Sequence, residues 1–450
     1  MRFQIDSKLI ELVQEFIAKN EDLALLQHLE ELHHADIAEI LGELELDEAT
    51  YIIKLLESDK TAEVLMELDE SDREKILDNL TPREIANEIE EMDTDDAADI
   101  VAELSPEIKT QVIAEIQDEE HAENIVELLR YPEDSAGGLM AKELVKVNEN
   151  WNVTGCMTEM RAQAENVTRV HSIYVVDDKG KLKGRLSLKD LLTAPSKAHI
   201  SDVYIKNVDF VSVHTKGEEV ARIMQKYDLE AIPVIDEMGR LVGRVTIDDI
   251  MDFVKEEAER DYQMAAGISE DVEADDSVWQ LTRARLPWLI LALFGGMVSV
   301  TVLGTFSGAM QDHAALFFFV PLIAAMAGNV GVQSSAIVLQ GLANKNLRGT
   351  LFNRLVKEVF LSLLNGLALA IILVLGGVFL LGYGFLMGLT VGISLITVII
   401  IASLIGTFVP IILDSRGINP AMATGPFITT SNDICGILIY FTIAKFILGF

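Results

Sequence analysis

The sequence predicts a mostly α membrane protein: five transmembrane helices per subunit, preceded by an all-α superhelical domain and a duplicated α/β unit. Three observations predict it. Five apolar stretches in the last third each exceed the ~20 residues that cross a bilayer. A pattern of strand, glycine turn and strand recurs 59 positions apart in the middle of the chain. Charge is segregated as well. From Leu286 onward there are four acids and six bases, of the 71 and 36 in the whole chain, so residues 1–285 carry −37 and the rest +2. So acidic a module repels nucleic-acid phosphates and suits cations.

Residues 1–20 place Ile5, Leu9, Leu12, Val13, Phe16 and Ile17 at the spacing of one amphipathic helix. From 21 to 130 the helices are short and acidic. Leu44–Asp47, Leu68–Asp72, Leu80-Thr81-Pro82, Met92–Asp96 and Leu104-Ser105-Pro106 read as helix starts, twice with proline just inside. The breaks recur about every 12 residues, and helix pairs make units of about 24, the pattern of a helical solenoid over 1–130. Its surface acids read mostly as solvated. Cys156 and Cys435 lie one in each part, so no disulfide framework is indicated. Met1–Asp6 carries no apolar signal core, which places residues 1–285 on the cytoplasmic side.

Tyr131–Met140 is a linker, and the repeat follows. Ile173-Tyr174-Val175-Val176-Asp177 with Gly180–Asp190 is matched by Ile232-Pro233-Val234-Ile235-Asp236 with Gly239–Asp249. Each copy ends in a Ser/Thr-x-x-Asp helix start. Residues 131–254 thus resemble a tandem CBS domain pair. The resemblance implies a regulatory module that pairs with a second copy and often binds adenosine nucleotides such as ATP. The ribose carboxylate would then be Asp190 or Asp249, although as helix caps both are accounted for without a ligand.

A connecting helix is expected over 255–285. Helical spacing puts Glu257 and Asp261 on one face, with Asp249, Asp252 and Glu256 close by. Such crowding favours bound divalent cations, and a solvated acidic linker is the competing reading. Glu270–Asp276, including Asp271 and Asp275, adds charge. Arg283, Arg285, Trp279 and Trp288 mark a membrane interface. The membrane domain then occupies 286–450, with apolar stretches at about 287–307, 315–341, 355–381, 386–413 and 425–449. Lys345, Arg348, Arg354 and Lys357 surround the second loop and Arg416 lies in the fourth, whereas the first offers only Asp312 and His313. This asymmetry puts the amino-terminal part in the cytoplasm and the carboxyl end outside.

Asp433 is the one acid deep in the last apolar stretch, after Gly425, Pro426 and the hydroxyls of Thr429, Thr430 and Ser431. An intramembrane carboxylate is costly unless it faces water, a partner or an ion. Gly425 and Pro426 suggest a broken segment, tolerated at membrane depth only beside protein or an aqueous cavity. A pore cation site is one reading; a snorkelling helix-end acid or the N-cap of the final helix are the others. In the second stretch Gly328, Asn329, Gly331, Gln333, Ser334 and Ser335 interrupt the apolar run. They read as interhelical hydrogen bonding or as a pore wall of oxygen ligands. Oxygen-only ligands with few carboxylates suit Mg²⁺, which sheds its waters reluctantly. No His-Glu-x-x-His helix supports an intramembrane metalloprotease, and the eight histidines are scattered. The spans lack the bases that an anion channel would want.

Pro321…Gly328-Asn329-Val330-Gly331-Val332-Gln333-Ser334 and Asn419-Pro420-Ala421…Gly425-Pro426-Phe427…Asp433 give the whole chain a resemblance to the MgtE family of magnesium channels and transporters. The resemblance implies a homodimer in the cytoplasmic (inner) membrane, with no enzymatic activity. Its pore lies on the dimer axis, and Asp433 binds hydrated Mg²⁺ there together with backbone oxygens of its region. Gly328, Asn329, Asn419 and Gly425 line the path. It further implies that cytosolic Mg²⁺ closes the pore by bridging Asp96, Asp99, Glu218, Asp228, Asp249, Asp252, Glu257 and Asp261. Three departures stand out. Asn419 replaces the usual aspartate before Pro-Ala, Arg260 stands where the connecting helix can carry an acid, and Lys216 replaces a CBS acid. A CBS-regulated transporter of another divalent cation such as Co²⁺ is the alternative, as is a nucleotide-sensing CBS membrane protein.

Overall fold

The computed structural model describes residues 7–164, 167, 169–170, 172–270, 272–274, 276–308, 313–343, 347, 349–423 and 425–450. Ile5, Asp271, Asp275, Asp312, Lys345 and Arg348, used above, lie outside the described residues. The chain divides into two compact units, residues 1–255 and 256–450.

The first unit opens with α1 (Ser7–Lys19), α2 (Asp22–Glu30), α3 (His34–Gly42), α4 (Leu46–Ile53), α5 (Ser58–Glu67), α6 (Glu70–Leu77), α7 (Pro82–Ile89), α8 (Thr94–Glu103), α9 (Pro106–Glu115) and α10 (Glu119–Leu128). The starts of α3, α5, α7 and α9 fall 24 residues apart, and so do those of α4, α6 and α8. Helices pack on the one two further along: α3 on α5, α5 on α7 and α7 on α9 in one row, α4 on α6 and α8 on α10 in the other. The solenoid expected from the caps is therefore present. Thr81 accepts the Glu84 N–H while Glu84 accepts the Thr81 N–H, with Pro82 just inside. At the first of these breaks the cap is Glu45, boxed with Glu48. Asp93 and Ser105 stand at their N-cap positions without a side-chain cap bond. Arg73 ties two turns together, donating to both Glu103 oxygens at 3.1 Å and to the Leu65 and Leu68 carbonyls.

The repeat follows, with α11 (Val153–Ala164), α12 (Leu188–Thr193) and α13 (Gly217–Tyr227) among its strands. β1 (Val145–Asn148) runs parallel to β2 (Ile173–Val176), which is antiparallel to β3 (Leu182–Leu186). β4 (Val211–Ser212), β5 (Ala231–Ile235) and β6 (Leu241–Thr246) repeat this order. The register repeats too: Ile173 faces Leu186 as Ile232 faces Val245, and Val175 faces Gly184 as Val234 faces Gly243. Both hairpins turn on a glycine with positive φ, Gly180 at 75° and Gly239 at 80°, a conformation that costs other residues dearly. The solenoid core runs on into the second repeat through Val211, Val220, Ile232 and Val245. α14 (Ile247–Ala266) follows β6 and carries the connecting acids.

The second unit holds α15 (Val278–Thr305), a short α16 (Ala315–Phe318), α17 (Val320–Ala343), α18 (Leu351–Phe379), α19 (Phe385–Ser415) and α20 (Gly425–Leu448). Five of its helices, counting α16 and α17 as one span, are long and apolar enough to cross a membrane. α15 begins well before its apolar stretch, because the Ser277–Gln280 capping box lies outside it. α18 likewise starts at its Thr350 cap. α20 packs against α15, α17 and α19.

Candidate functional site: an intramembrane carboxylate and a soluble acidic cluster

Asp433 is the ninth residue of a continuous α20. Two expectations are corrected by this. The carboxylate is neither the N-cap of the last helix nor set in irregular backbone. The break falls before it, at the 3₁₀ turn Pro420–Ala423, and Gly425 with Pro426 open the helix. Proline in a first turn forfeits no hydrogen bond, so this pair starts a helix without interrupting one.

α20 has two working faces. Ile428, Asn432, Gly436, Tyr440 and Ala444 are buried at four-residue spacing. Thr429, Thr430 and Asp433 line a cavity of about 490 Å³ against Gly295, Gly296 and Ser299 of α15. Hydroxyls and one carboxylate in an otherwise small-residue wall offer oxygen acceptors and space for a cation that keeps its water. Gly425 lines the same cavity. Gly328 is buried, and a Cβ there would lie 3.2 Å from Thr429 Cγ2. Asn329 is exposed on α17 and is not part of the cavity wall. The Asn419 side chain donates to Asp261 Oδ1 at 3.0 Å.

In the first unit, carboxylate oxygens of Asp93, Asp95 and Glu143 lie within 4.8 Å of one another. Thr94 Oγ1 donates to Glu143 Oε2 at 2.9 Å, and Asp249 Oδ2 accepts from Thr246 N and Oγ1 at 3.0 and 2.6 Å. Burial pushes the Asp95 carboxyl well above the usual carboxylate range, reinforced by the charge of Asp249. Burial, then Asp249, pushes Asp96 up to about 7. Burial also raises Asp249, against the opposing pull of Thr246. Arg244 Nη2 stands 3.8 Å from Asp93 Oδ2. Buried carboxylates this close repel one another, and a proton or a cation relieves the repulsion that Arg244 does not offset.

Of the acids proposed from sequence, Asp96 and Asp249 come together here, and Asp99 adds its charge to Asp96 from an exposed position on α8. Asp93, Asp95 and Glu143 were missed. The first two sit in the run read as a helix start, and Glu143 lies 49 residues from Thr94 with no local signal. Glu218 lies in the first turn of α13 behind Lys216 at the N-cap, and Asp228 caps its end in the left-handed region at φ 49°. Asp252 lies on α14, and Asp190 lies in the first turn of α12. Glu257 pairs with Arg260, so the basic departure on this helix engages its acidic neighbour directly.

A helical solenoid, a CBS pair and five membrane-length helices with a carboxylate on a cavity define a multi-pass membrane transporter with an appended regulatory module. Residues 320–443 match the MgtE divalent cation transporter family, 32–134 the MgtE intracellular N domain, and 136–197 and 200–256 the CBS domain. Over 324 residues the chain is 37% identical to the magnesium transporter MgtE of Thermus thermophilus, covering 71% of this chain and 72% of that one. It is 36% identical to the magnesium transporter MgtE of Bacillus subtilis over 70% of each. A solved cytosolic domain of the Mg²⁺ channel MgtE in complex with ATP superposes with a TM-score of 0.52 at 36% identity, covering 54% of this chain and 99% of that one. The chain belongs to the MgtE family. Its relatives are transporters, and it is a transporter, not an enzyme.

Proposed function

We propose that this protein is a Mg²⁺-selective channel or transporter of the cytoplasmic membrane, working as a homodimer with Asp433 of each subunit facing the conduction path. The observation that carries this is the placement of Asp433 with Thr429 and Thr430 on a cavity, beside the buried stripe of α20. A carboxylate so placed attracts a cation without stripping its water. Arg354, Lys357 and Arg416 support an amino-terminal part in the cytoplasm and a carboxyl end outside.

Cytosolic Mg²⁺ closes the pathway by binding better to the closed state. The raised affinity of Asp95, Asp96 and Asp249 for protons supports this, because a cluster that resists carrying its full charge favours any state in which a divalent ion neutralises it. Asp99, Glu218, Asp228, Asp252, Glu257 and Asp261 complete the proposed regulatory set. ATP at the CBS pair is a secondary element of the proposal, supported by the ATP complex of the solved relative. Asp190 and Asp249 are the proposed contacts, although Asp249 already serves as a cap.

The test is Mg²⁺ flux into vesicles holding the reconstituted protein, at low and at millimolar Mg²⁺ on the cytoplasmic face. Asp433→Ala should reduce flux to background, and the parent protein should close as that Mg²⁺ rises. Normal flux in Asp433→Ala removes the pore assignment, and flux indifferent to Mg²⁺ removes the gating. Co²⁺ carried in preference to Mg²⁺ favours the other-cation reading.

A further inference from the structure

We propose that Asn432 is a positioning residue: it fixes the rotation of α20 about its axis and so aims Asp433 into the cavity. The inference rests on the reading of Asp433 as the ion-binding carboxylate.

The buried stripe of α20 contains two polar side chains, and each docks the helix through one hydrogen bond. Tyr440 donates to the Leu316 carbonyl at 2.9 Å. Asn432 donates through Nδ2 to the Ala327 carbonyl of α17 at 3.3 Å and is 1% exposed. The tyrosine lies two turns away, while the asparagine lies at the level of the carboxylate. The surrounding helices are shaped around the amide. A Cβ on Gly331 of α17 would lie 1.9 Å from Asn432 Nδ2, and a Cβ on Gly406 of α19 would lie 2.3 Å from the Gly331 carbonyl oxygen. Three helices therefore close on one another at this side chain.

Successive residues of an α-helix point about 100° apart. Holding Asn432 in the groove of α17 thus sets the direction of Asp433 next to it. Turning α20 by one residue would bring Ser431 or Asp433 into the groove and swing the carboxylate off the cavity. Stability alone does not account for an amide here. Asn432 Oδ1 is buried and meets no donor among the described residues, and such an atom destabilises the fold that contains it. A leucine of similar size would fill the stripe without that penalty. A lone buried asparagine that weakens a helix interface while fixing its register has a precedent in coiled coils.

The experiment uses full-length protein reconstituted in vesicles, with Asn432→Leu, Asn432→Ser and Asp433→Ala. Asn432→Leu should unfold at the same or a higher temperature than the parent, while the Mg²⁺ concentration for half-maximal flux rises about three- to sixteenfold. That range is what an intramembrane hydrogen bond of ~0.6–1.7 kcal/mol becomes at tenfold per ~1.4 kcal/mol. Asn432→Ser, which retains a donor, should fall between the two. A second readout is the reaction of Asp433→Cys with a small polar thiol reagent, in a background of Cys156→Ser and Cys435→Ser. Adding Asn432→Leu should slow it. Should Asn432→Leu fail to fold, Asn432→Ser is judged by the same readouts. Unchanged half-saturation and labelling overturns the proposal, as does a flux that merely falls in proportion to folded protein. Normal conduction in Asp433→Ala overturns the pore reading itself, and this inference with it; a silent Asp433→Ala beside a normal Asn432→Leu overturns this inference alone.

Discussion

The Asn419 amide donates to the Asp261 carboxylate at 3.0 Å, and Asn419 Oδ1 accepts the Ala421 N–H at 2.8 Å. The second bond sets the rotamer that makes the first. Together they tie the end of α14 to the turn leading into α20, and they need no ion to do so. An aspartate at 419 would face Asp261 with a second carboxylate, a pairing that only a proton or a cation can hold.

Breaking this tie should therefore loosen closure. Asn419→Ala is expected to raise the internal Mg²⁺ needed for half-inhibition about fivefold, within the range of ordinary allosteric coupling. Asn419→Asp should make closure more steeply Mg²⁺-dependent. A double-mutant cycle with Asp261→Ala measures the tie itself, with an expected coupling of about 1 kcal/mol or more for a hydrogen bond to a charged group. Strictly additive effects on half-inhibition would show that the contact does not participate in gating.

The soluble acidic cluster sets a pH dependence whose sign follows from its raised carboxyls. Asp96 is pushed up to about 7 by burial and by Asp249, and Asp95 is raised well above the usual carboxylate range by burial and the same neighbour. A carboxyl raised on folding binds its proton more tightly in the folded chain, so the stability it contributes is present at low pH and lost as pH rises through about 7. Without divalent cations, a fragment spanning 1–255 should melt at a lower temperature at pH 8 than at pH 6. Millimolar Mg²⁺ should recover the difference at pH 8, since the ion takes the place of the protons. Melting that is indifferent to Mg²⁺ at pH 8 would detach this cluster from cation binding.

The fold was legible where it depends on local chemistry. Thr81-Pro82 and Ser105-Pro106 marked helix starts that recur in the solenoid at 24-residue spacing, and the Gly180 and Gly239 turns announced two hairpins of identical register. Asp433 stands out in the sequence because a lone carboxylate in an apolar run is expensive anywhere. What escaped depends on contacts between distant segments. Glu143 reaches Thr94 across 49 residues, Asn419 reaches Asp261 across 158, and Asn432 looks in sequence like one more polar residue beside Asp433. Gly425 and Pro426 misled for a different reason: the same pair can break a helix or begin one, and only the preceding 3₁₀ turn decides between them.

The crossing of α17 and α19 tolerates no side chain at its centre. A Cβ on Gly406 would lie 2.3 Å from the Gly331 carbonyl oxygen, and backbone cannot swing aside as a flexible side chain can. Gly406→Ala should destabilise the membrane unit by about 1–3 kcal/mol, the usual cost of overpacking. Gly376→Ala is the control. That glycine lies inside α18 with no atom within 4 Å of its would-be Cβ, and alanine there should be neutral or stabilising by up to ~1 kcal/mol. Heating solubilised protein and following the monodisperse fraction measures both. Equal midpoints for the two variants would contradict the close approach.

A second membrane-embedded acid is tied down in a different way. Ser334 of α17 is buried and donates through Oγ to Glu358 Oε1 of α18 at 2.7 Å. Glu358 lies two turns into α18 and Ser334 nine residues before the end of α17, so the bond clamps these two helices to each other at matching depth. Glu358→Gln keeps an acceptor of the same reach and is expected to retain both stability and Mg²⁺ flux. Glu358→Leu removes the acceptor, leaves the serine to turn back on its own helix, and should lower stability by about 1 kcal/mol, in the range measured for interhelical bonds in membranes. The informative comparison is flux per folded protein. Were Glu358→Gln as stable as the parent yet unable to conduct, the negative charge and not the clamp would be the functional element, and Glu358 would join Asp433 as a cation ligand.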